Sequence, residues 1–543
     1  MTANVSSSSV ASRPEARIDL SAVRLLPPLP EAWLAGRDLD LLDPLRFLPP
    51  GELPSTPALA GARRELAAEL AVTNGYYGNQ NAERLARRLA DPATRIVVTG
   101  QQPGLFGGPL YSVSKAIAAS RWAAALEATG EPAVAVFWMA TEDHDWAEVS
   151  SAVVLTSEGP REISLGADPE PLAPAGMRSL GPEIENVLRQ IGEAVPGDRY
   201  AEWLRTLARW YRPSARFGEA YSRLLAHLLG PHCPLILDSM LPSLKAAQRP
   251  WLRRLVERRE TVEEAIATRE GEIQGRGYPL QVTPQRGASP LFLLHRGQRR
   301  KISWRGPDCF VLRGNEDCFG GPEDLLRIID ENPGVVSPGV LARPAVQDAV
   351  LGTCLQVLGP GELSYMAQAA AVHRVLEVDP AWVTLRPQAL VLESHQIDKL
   401  AEIGLTLADV LGDQHQLDRR LAERSGGDFV APVRRRVEGA LDELRAPALA
   451  ADPNLERPFD KTREQILRAL DLFSDKAVAA AARKNEVVDR RVRQLRDTAL
   501  PLGKPQERVV SSAHFQGKYG DRFAESFWEQ MELDPTHLQV ISP

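Results

Sequence analysis

Short apolar runs and amphipathic stretches alternate along the first quarter of the chain. Residues 61–90 repeat apolar positions at helical spacing, which predicts a helical lead-in after the Pro-rich residues 1–60. Residues 95–100 form a β-branched run that ends in glycine, a Gly- and Pro-rich loop follows, and a helical pattern covers residues 111–128. A second apolar run occupies residues 133–141. This order predicts a βαβ unit with parallel strands and a right-handed crossover.

Further apolar runs are separated by two segments typical of insertions. Residues 151–230 mix short strands with a helical stretch, and the run 233–239 then predicts another core strand. Residues 245–275 are helical and charged, while residues 278–315 alternate as in a small antiparallel sheet. Apolar runs with Gly-rich turns return at residues 335–392, so the core is predicted to resume there.

Helix-forming residues dominate from about residue 393 to residue 498. Apolar side chains recur there at spacings of four and three, at Ile466, Leu470, Phe473 and Ala477. We predict a long helical hairpin with a coiled-coil seam, broken near residues 447–458. A core-packed helix would show the same stripe, but so many charges favour a projection used for self-association.

These patterns predict an α/β protein with a parallel-sheet core, two insertions and a helical domain. The predicted segments are a lead-in with the first part of the core (1–150), a first insertion (151–230), a core strand (231–244), a second insertion with a small antiparallel sheet (245–334), the second part of the core (335–392), a helical coiled-coil dimerisation domain (393–500) and a C-terminal segment that returns to the core (501–543).

Composition narrows the class of protein. The 543 residues include 71 acidic and 64 basic side chains, a net charge of −7, and 44% are hydrophobic. A general nucleic-acid binder would be more basic, and a disordered chain less apolar. Four cysteines cannot staple a fold of this size, so we expect a reducing compartment, the cytoplasm. No signal peptide and no membrane span are predicted, because the first 20 residues lack an apolar core and the charge-free stretch after Arg95 is rich in Gly, Gln and Pro.

The loop after the first predicted strand is a candidate anion site. Glycines let a backbone approach an anion closely, and the helix that follows offers unpaired N–H groups and the positive end of its dipole. The spacing matches neither a P-loop nor the dinucleotide-binding pattern. A tight strand-to-helix turn would also explain the glycines. The candidate binding residues are Thr99, Gly100, Gln101, Gln102, Pro103, Gly104, Tyr111 and Lys115.

An acidic cluster with one histidine follows the second predicted strand. Carboxylates around one imidazole would raise its pKa and make it a proton acceptor, or they would form a site for a divalent cation. An exposed acidic loop is the alternative. A zinc site is disfavoured, because no cysteine or second histidine lies at ligand spacing. The candidate catalytic residues are Glu142, Asp143, His144 and Asp145, with Glu148 one helical turn further on.

Two later segments add charged candidates. Arg343 can hold a carboxylate or phosphate through two hydrogen bonds, although Arg343, Gln347 and Asp348 would equally form a network at a helix start. A Gly-rich turn places Gly361, Glu362 and Tyr365 beside them in sequence. In the tail, Lys504 and Arg508 are candidate contacts for an anion or a nucleotide, or a solvated basic patch. Cys309 and Cys318 are weak evidence for a metal site, and no metal is predicted.

Four strings in order carry a resemblance that extends from about residue 20 to the C-terminus. They are VVTGQQPGLFGGPLYSVSKAIAA, FWMATEDHDWAEV, SPGVLARPAVQD with GPGELSYMAQ, and GKPQERV with KYG. Together they resemble the bacillithiol biosynthesis cysteine-adding enzyme family, BshC. The resemblance implies a Rossmann-type core similar to nucleotidyltransferases and class I aminoacyl-tRNA synthetases, with connecting insertions and a coiled-coil domain used for homodimerisation.

The reaction implied by this resemblance joins the carboxylate of L-cysteine to the amine of glucosaminyl malate. Such an amide bond needs carboxylate activation, for which ATP or another activating nucleotide is the obvious donor. By the same resemblance, residues 99–109 would hold an anionic group with help from Lys115, the cluster at residues 142–145 would bind and deprotonate an amine, and Arg343 would contact the malate carboxylates. The chain departs from class I synthetases in lacking a lysine-rich triphosphate loop.

Two other readings remain open on the sequence alone. The cluster at residues 142–145 would serve a metal-dependent amide or phosphoester hydrolase, which would act without a nucleotide. A non-enzymatic coiled-coil scaffold that binds a small anion is the third reading.

Overall fold

The computed structural model describes residues 17–23, 25–283, 285, 287–315, 317–424, 430–482 and 486–543. Residues 1–16, which carry most of the expectation about a signal peptide, lie outside the described residues. The chain divides into two compact units. The first unit consists of Met1–Leu392 with Lys504–Pro543, and the second of Glu393–Gly503.

Fifteen strands are found in the described part of the chain, all in the first unit. They are β1 (Arg17–Asp19), β2 (Arg46–Phe47), β3 (Arg95–Gln101), β4 (Ala133–Met139), β5 (Ser151–Thr156), β6 (Gly159–Ser164), β7 (Leu235–Asp238), β8 (Ala288–His295), β9 (Gln298–Trp304), β10 (Phe310–Leu312), β11 (Val336–Pro338), β12 (Thr353–Leu358), β13 (Trp382–Leu385), β14 (Gln388–Val391) and β15 (His537–Ile541).

Helices connect and cover these strands. The helices of the first unit are α1 (Leu20–Val23), α2 (Pro28–Leu34), α3 (Arg64–Tyr77), α4 (Ala82–Ala90), α5 (Tyr111–Ala128), α6 (Trp146–Val149), α7 (Glu183–Ala194), α8 (Asp198–Trp210), α9 (Phe217–Leu229), α10 (Pro242–Glu257), α11 (Arg259–Gly275), α12 (Pro322–Glu331), α13 (Arg343–Leu351) and α14 (Pro360–Leu376). The second unit contains α15 (Ser394–Glu402), α16 (Leu407–Leu411), α17 (Gln414–Arg424), α18 (Val430–Ala451), α19 (Glu456–Ala482) and α20 (Glu486–Ala499), and the first unit resumes with α21 (Ser512–Tyr519) and α22 (Arg522–Gln530).

The core of the first unit is a six-stranded sheet in the order β2-β13-β12-β3-β4-β7, and every pairing in it is parallel. The predicted βαβ unit is β3, α5 and β4, and the predicted core strand at 233–239 is β7, so both predictions are confirmed. All seven residues of β4 are buried, which explains why this strand reads as a continuous apolar run. The two-residue edge strand β2 comes from the Pro-rich residues 1–60, where no strand was predicted.

The second insertion forms the predicted antiparallel sheet, in the order β10-β9-β8-β11. It extends beyond the predicted segment, because β11 pairs with β8. The first insertion contains the hairpin β5-β6 and the helices α7 to α9. Both insertions follow strands of the central sheet, so their loops gather at its carboxyl edge.

The C-terminal segment returns to the first unit and is fixed there by buried polar contacts. Glu507 accepts two hydrogen bonds of 2.7 Å from the guanidinium of Arg386. The side chain of Gln506 exchanges two hydrogen bonds with the backbone of Val391. Ser511 then donates to the carbonyl oxygen of Phe106 at 2.8 Å, so this segment holds the far half of the loop after β3.

The second unit contains the predicted helical hairpin, formed by α18 and α19. The turn lies at residues 452–455, and α18 continues through Pro447, so the break is narrower than predicted. Arg434 and Asp471 join the two helices through an ion pair of 2.7 Å. The predicted seam is wrong at Phe473, which is 54% exposed, while Leu467 and Ser474 are buried. Charged partners on both helices therefore help to decide which face packs inward.

A helix that crosses a membrane needs about 20 consecutive, mostly apolar residues. No helix in the described part of the chain is long and apolar enough for this.

Candidate active site

A cavity of about 810 Å³ opens at the carboxyl ends of β3 and β4. Its walls come from these two strand ends, from α11, from the antiparallel sheet of the second insertion and from the first turns of α13 and α14. Ten residues singled out from the sequence line it, namely Gly100, Gln101, Gln102, Asp143, His144, Asp145, Glu148, Arg343, Glu362 and Tyr365. The two strand tips therefore share one cavity.

Only the first part of the glycine loop borders the cavity. A Cβ atom on Gly100 would lie 2.8 Å from the carbonyl oxygen of Trp138, so the close approach of β3 and β4 requires glycine there. Thr99 is buried and donates to the Val357 carbonyl oxygen at 2.7 Å. Pro103 and Gly104 belong to the packed half of the loop, which includes the buried Phe106 with a φ of 52°. The predicted cradle is thus confined to residues 100–102 in this structure.

Lys115 is buried behind the loop and does not line the cavity. Its ammonium group donates to the Gly100 carbonyl oxygen at 2.7 Å and to Gln101 Oε1 at 2.9 Å, and it pairs with Glu362. Burial lowers the pKa of Lys115, with Glu362 acting in the opposite direction. Lys115 therefore ties the loop to the start of α14 instead of meeting a ligand directly.

The side chains of the acidic cluster after β4 lie in two different places. Asp143, His144 and Asp145 line the cavity, as does Glu148. Glu142 instead forms an ion pair with Lys245 of α10 and is 8% exposed. Since its carboxylate is engaged there, Glu142 lies outside the lining of the cavity.

The imidazole of His144 has one buried nitrogen, Nδ1, with no hydrogen-bond partner among the described residues. The expectation that neighbouring carboxylates raise the imidazole pKa is wrong: the pKa is lowered, chiefly by burial and then by the positive charge of Arg299, which together outweigh Asp143 and Asp145. A neutral imidazole at neutral pH follows, and it can accept a proton.

Gln102 and Glu148 complete the acidic side of the cavity. Gln102 donates to Asp143 Oδ2 at 3.1 Å, and its own Oε1 is buried without a partner among the described residues. The pKa of Glu148 is raised by desolvation and by the charges of Asp145 and Asp143. Carboxylates and an unpaired carbonyl oxygen accept hydrogen bonds, so this side suits an amine or ammonium group.

Two cations that the sequence analysis did not select, Arg299 and Lys301, come from β9. Arg299 donates to Ser337 Oγ at 3.0 Å and to the Pro338 carbonyl oxygen at 3.2 Å, and its Nη1 lies 3.3 Å from Asp143 Oδ1. Its guanidinium also stacks 3.9 Å from the centre of the Phe292 ring. The sequence signal that could have identified Arg299 and Lys301 together is strand alternation, which places residues two positions apart on the same face of a strand.

Arg343 is the third cation of the cavity, and a buried network orients it. Its guanidinium donates to Gln347 Oε1 and to Tyr365 Oη, both at 2.9 Å. Asp348 does not line the cavity, because it accepts hydrogen bonds from Gln356 at 2.6 Å and from His373 at 3.0 Å. The helix-start network considered above is thus present, and Arg343 nevertheless borders the cavity.

The remaining predicted residues lie outside the lining. Tyr111 contacts Gln101 through its hydroxyl at 3.2 Å, and burial, followed by Glu148 and Glu362, raises its pKa to about 12. Gln347 and Gly361 belong to α13 and α14 but do not face the cavity. Lys504 and Arg508 are exposed, and neither lines the cavity.

Neither of the metal-related patterns forms a ligand group. Within the described ranges, no three His, Cys, Asp or Glu side chains come together in a way that would hold a metal ion. Cys309 and Cys318 form a disulfide with Cα atoms 5.7 Å apart.

Two domains of one known protein family match most of the chain. Residues 54–387 match the N-terminal Rossmann-like domain of bacillithiol biosynthesis BshC, and residues 389–542 match the C-terminal coiled-coil domain of BshC. The predicted fold class, a Rossmann-type core with a coiled-coil domain, is thereby confirmed.

Individual members of this family are also similar to the chain over most of its length. A Solibacter usitatus protein named "Putative cysteine ligase BshC" is 30% identical over 85% of this chain and 87% of its own length. A protein of the same name from Heliobacterium modesticaldum is 32% identical over 87% of each chain. A solved structure from Campylobacter jejuni, named as a putative arginyl-tRNA synthetase, matches over 86% of this chain and 99% of its own, with 11% identity and a TM-score of only 0.25.

Proposed function

This chain belongs to the BshC family of bacillithiol biosynthesis, and on that premise we propose that it is a ligase that joins the carboxylate of L-cysteine to the amine of glucosaminyl malate. The product is an amide that carries a free thiol. The relatives' names support the reaction class, and the cavity supports the assignment of residues.

The main support for the proposal is a cavity lined by acidic and basic side chains. It also contains the His144 Nδ1 atom, which has no hydrogen-bond partner among the described residues. Asp143, Asp145 and Glu148 supply hydrogen-bond acceptors for an ammonium group. Arg299, Lys301 and Arg343 supply cations for carboxylates. Both substrates carry an amine and at least one carboxylate, so such a cavity matches their chemistry.

His144 is the proposed general base. An amine attacks an activated carboxyl group only as the free amine, so a proton must leave its ammonium form. The neutral imidazole, with its pKa lowered by burial and Arg299, accepts that proton near neutral pH. The carboxylates beside it hold the amine and stabilise the imidazolium that forms.

The cations of β9 and α13 are the proposed site for the malate carboxylates. Arg343 is held by Gln347 and Tyr365, and Arg299 by Ser337 and Pro338, so both guanidinium groups are oriented before a ligand arrives. Fixed donors lose less entropy on binding than mobile side chains. Lys301 adds a further charge on the same strand as Arg299.

The cysteine carboxylate needs activation, because amide formation from a free carboxylate is unfavourable in water. ATP or another activating nucleotide is the co-substrate class that the proposal requires, and it would convert the carboxylate to an acyl-adenylate or an acyl-phosphate. The cavity volume of about 810 Å³ lies within the range of small-molecule sites, roughly 300–1,000 Å³.

The proposal extends to assembly and location. The helical hairpin of the second unit is the proposed homodimer contact, since it exposes Leu444, Leu472 and Phe473. The cytoplasm is the proposed location, because the reaction yields a thiol that a reducing compartment would preserve.

The test is mass spectrometry of the purified protein incubated with glucosaminyl malate and L-cysteine, with and without ATP and cell extract. We expect a new mass equal to the two substrates minus one water. The variant His144→Asn should bind both substrates but form the amide about 10²–10⁴-fold more slowly. The exposed variant Lys504→Met is the matched control.

Two results would contradict the proposal. Nucleotide-independent hydrolysis of an amide or a phosphoester would favour a hydrolase. Unchanged turnover in His144→Asn would remove this imidazole from the mechanism.

A further inference from the structure

A disulfide between Cys309 and Cys318 lies outside the cavity and takes no part in the reaction proposed above. It closes the turn that follows β10, across a sequence separation of nine residues. Cys318 is exposed and Cys309 is half-buried. The other two cysteines, Cys233 and Cys354, are free and buried. Solvent access therefore distinguishes this pair from the other thiols of the chain.

Backbone hydrogen bonds hold the two cysteines together independently of the sulfur–sulfur bond. Phe319 donates to the Phe310 carbonyl oxygen at 2.8 Å, and Phe310 donates to the Gly320 carbonyl oxygen at 2.8 Å. The rings of Phe310 and Phe319 lie 5.5 Å apart. Each cysteine directly precedes one of these phenylalanines, so the two thiols would remain adjacent if the disulfide were reduced. Two thiols held side by side in this way can form the disulfide again without a rearrangement of the backbone.

We propose that Cys309 and Cys318 are a reversible exchange site for low-molecular-weight thiols. A thiolate attacks the exposed Sγ of Cys318 and forms a mixed disulfide, and the electron pair of the broken bond leaves on Cys309 Sγ, which takes a proton from water. A second thiolate attacks the small-molecule sulfur of the mixed disulfide and releases Cys318 as a thiolate. The net change is two thiols oxidised to one disulfide and the protein disulfide reduced to two thiols. The reverse sequence uses the small-molecule disulfide as oxidant.

The exchange site is linked to the wall of the cavity through β9. The edge strand β10 is only three residues long, and each of them pairs with β9: Phe310 with Trp304, Val311 with Ser303 and Leu312 with Ile302. Next to it, Arg313 donates to the Lys301 carbonyl oxygen at 2.9 Å, and Arg300 donates to the Arg313 carbonyl oxygen at 2.7 Å. Lys301 lines the cavity. The disulfide thus ties the start of this short edge strand to the segment that follows its turn, and the edge strand in turn pairs with the strand that carries Arg299 and Lys301.

Reduction should loosen this edge without unfolding the sheet. A three-residue strand at the edge of a sheet opens more readily than a central strand, and a covalent tie across its turn restricts that opening. The redox state of this surface turn does not depend on the ligase reaction, so thiol exchange and amide formation are measured separately.

The exchange is tested by differential alkylation of the full-length protein. Samples equilibrated with reduced or oxidised glutathione, or with cysteine and cystine, are labelled under native conditions and mapped by mass spectrometry. We expect Cys309 and Cys318 to be alkylated together in the reduced mixtures and protected in the oxidised ones, while Cys233 and Cys354 stay unlabelled. In Cys309→Ser, Cys318 should form a stable mixed disulfide with the oxidised reagent. Alkylation of the pair in every mixture, or reduction only after unfolding, would overturn the proposal.

The link to β9 is tested by hydrogen–deuterium exchange. We expect amides of residues 299–304 to exchange several-fold faster in the reduced protein and in Cys309→Ser/Cys318→Ser than in the oxidised protein, while residues 95–101 of β3 stay unchanged. The variant Cys233→Ala is the matched control for removal of a cysteine. Equal exchange of residues 299–304 in all forms would overturn the link.

Discussion

At the residue scale, burial and the charges next to His144 together decide the pKa of this imidazole. Neighbouring carboxylates alone would favour the protonated ring, but burial and the Arg299 guanidinium act in the opposite direction and lower the pKa. A base must be unprotonated to act, so activity should fall as the pH falls through this lowered pKa. In the proposed mechanism, Arg299 thus has two effects, binding a carboxylate and keeping His144 neutral.

The variant Arg299→Met tests the second effect. Removing the positive charge should raise the pKa of His144, so the acid limb of the kcat/KM profile should move to higher pH. Lys301→Met is the matched control, because it removes a cavity cation from the same strand that is not among the main influences on the His144 pKa. An acid limb that moves equally in both variants, or in neither, would contradict the assignment of His144 as base.

Glu142 shows how neighbouring residues in one motif can have different roles. It pairs with Lys245, and both side chains are almost fully buried. Removing one partner of a buried ion pair leaves an uncompensated charge and costs about 3–5 kcal/mol. We therefore expect Glu142→Gln and Lys245→Met each to lower the free energy of unfolding by about that amount in urea titrations.

The double variant separates a structural role from a catalytic one. Glu142→Gln/Lys245→Met should lose clearly less stability than the sum of the single variants, because no charge is left unpaired. It should also retain His144-dependent turnover. Additive losses of stability would show that the pair is not coupled, and loss of turnover in a stable double variant would assign Glu142 to catalysis.

At the element scale, the α18–α19 hairpin carries large apolar side chains that are more than half exposed to solvent. Leu472 and Phe473 are 59% and 54% exposed, while Leu467 packs inward. Large apolar side chains that stay exposed side by side often mark a protein–protein contact. The hairpin is therefore the element on which the proposed dimer depends.

The variant Leu472→Asp/Phe473→Asp should convert the proposed dimer to a monomer, because it places two charges in the proposed contact. The measurement is molar mass by light scattering during size-exclusion chromatography. Glu464→Lys, an exposed charge change on the same helix, is the control and should leave the mass unchanged. A dimer that persists in the double aspartate variant would place the contact elsewhere.

At the scale of the whole molecule, the cavity joins side chains that are far apart in the sequence. Asp143 and Arg299 lie 3.3 Å apart, and Arg343 comes from a third segment. A ligand that contacts all three should stabilise the first unit as a whole, since binding to the folded state alone raises the free energy of unfolding.

Titration calorimetry with glucosaminyl malate tests this assembly. We expect Arg343→Met to weaken binding by roughly 10- to 100-fold, the value of a hydrogen-bonded charge of about 1.5–3 kcal/mol. Lys504→Met, a cation that the sequence also suggested but that lies outside the cavity, should bind normally. Equal weakening in both variants would indicate a general charge effect and not a site.

Local sequence patterns were sufficient to predict the central strands of the core and the helical hairpin. The strands at Arg95–Gln101, Ala133–Met139 and Leu235–Asp238 are apolar because they are buried on both faces, and that requirement is visible in each short segment alone. The position of two functional loops at the ends of neighbouring parallel strands followed from the same order. The helical hairpin was equally clear, although its inward face was not.

The direction of individual side chains was decided only by tertiary contacts. Within one motif, Glu142 turns to Lys245 while Asp143 faces the cavity, and Lys115 is buried against Glu362. Arg299 reaches the site from an insertion more than 150 residues beyond Asp143. Local spacing records interactions between residues a few positions apart, whereas ion pairs between distant segments form only when the insertions fold over the sheet, so the sequence determined the framework and the tertiary structure selected the site.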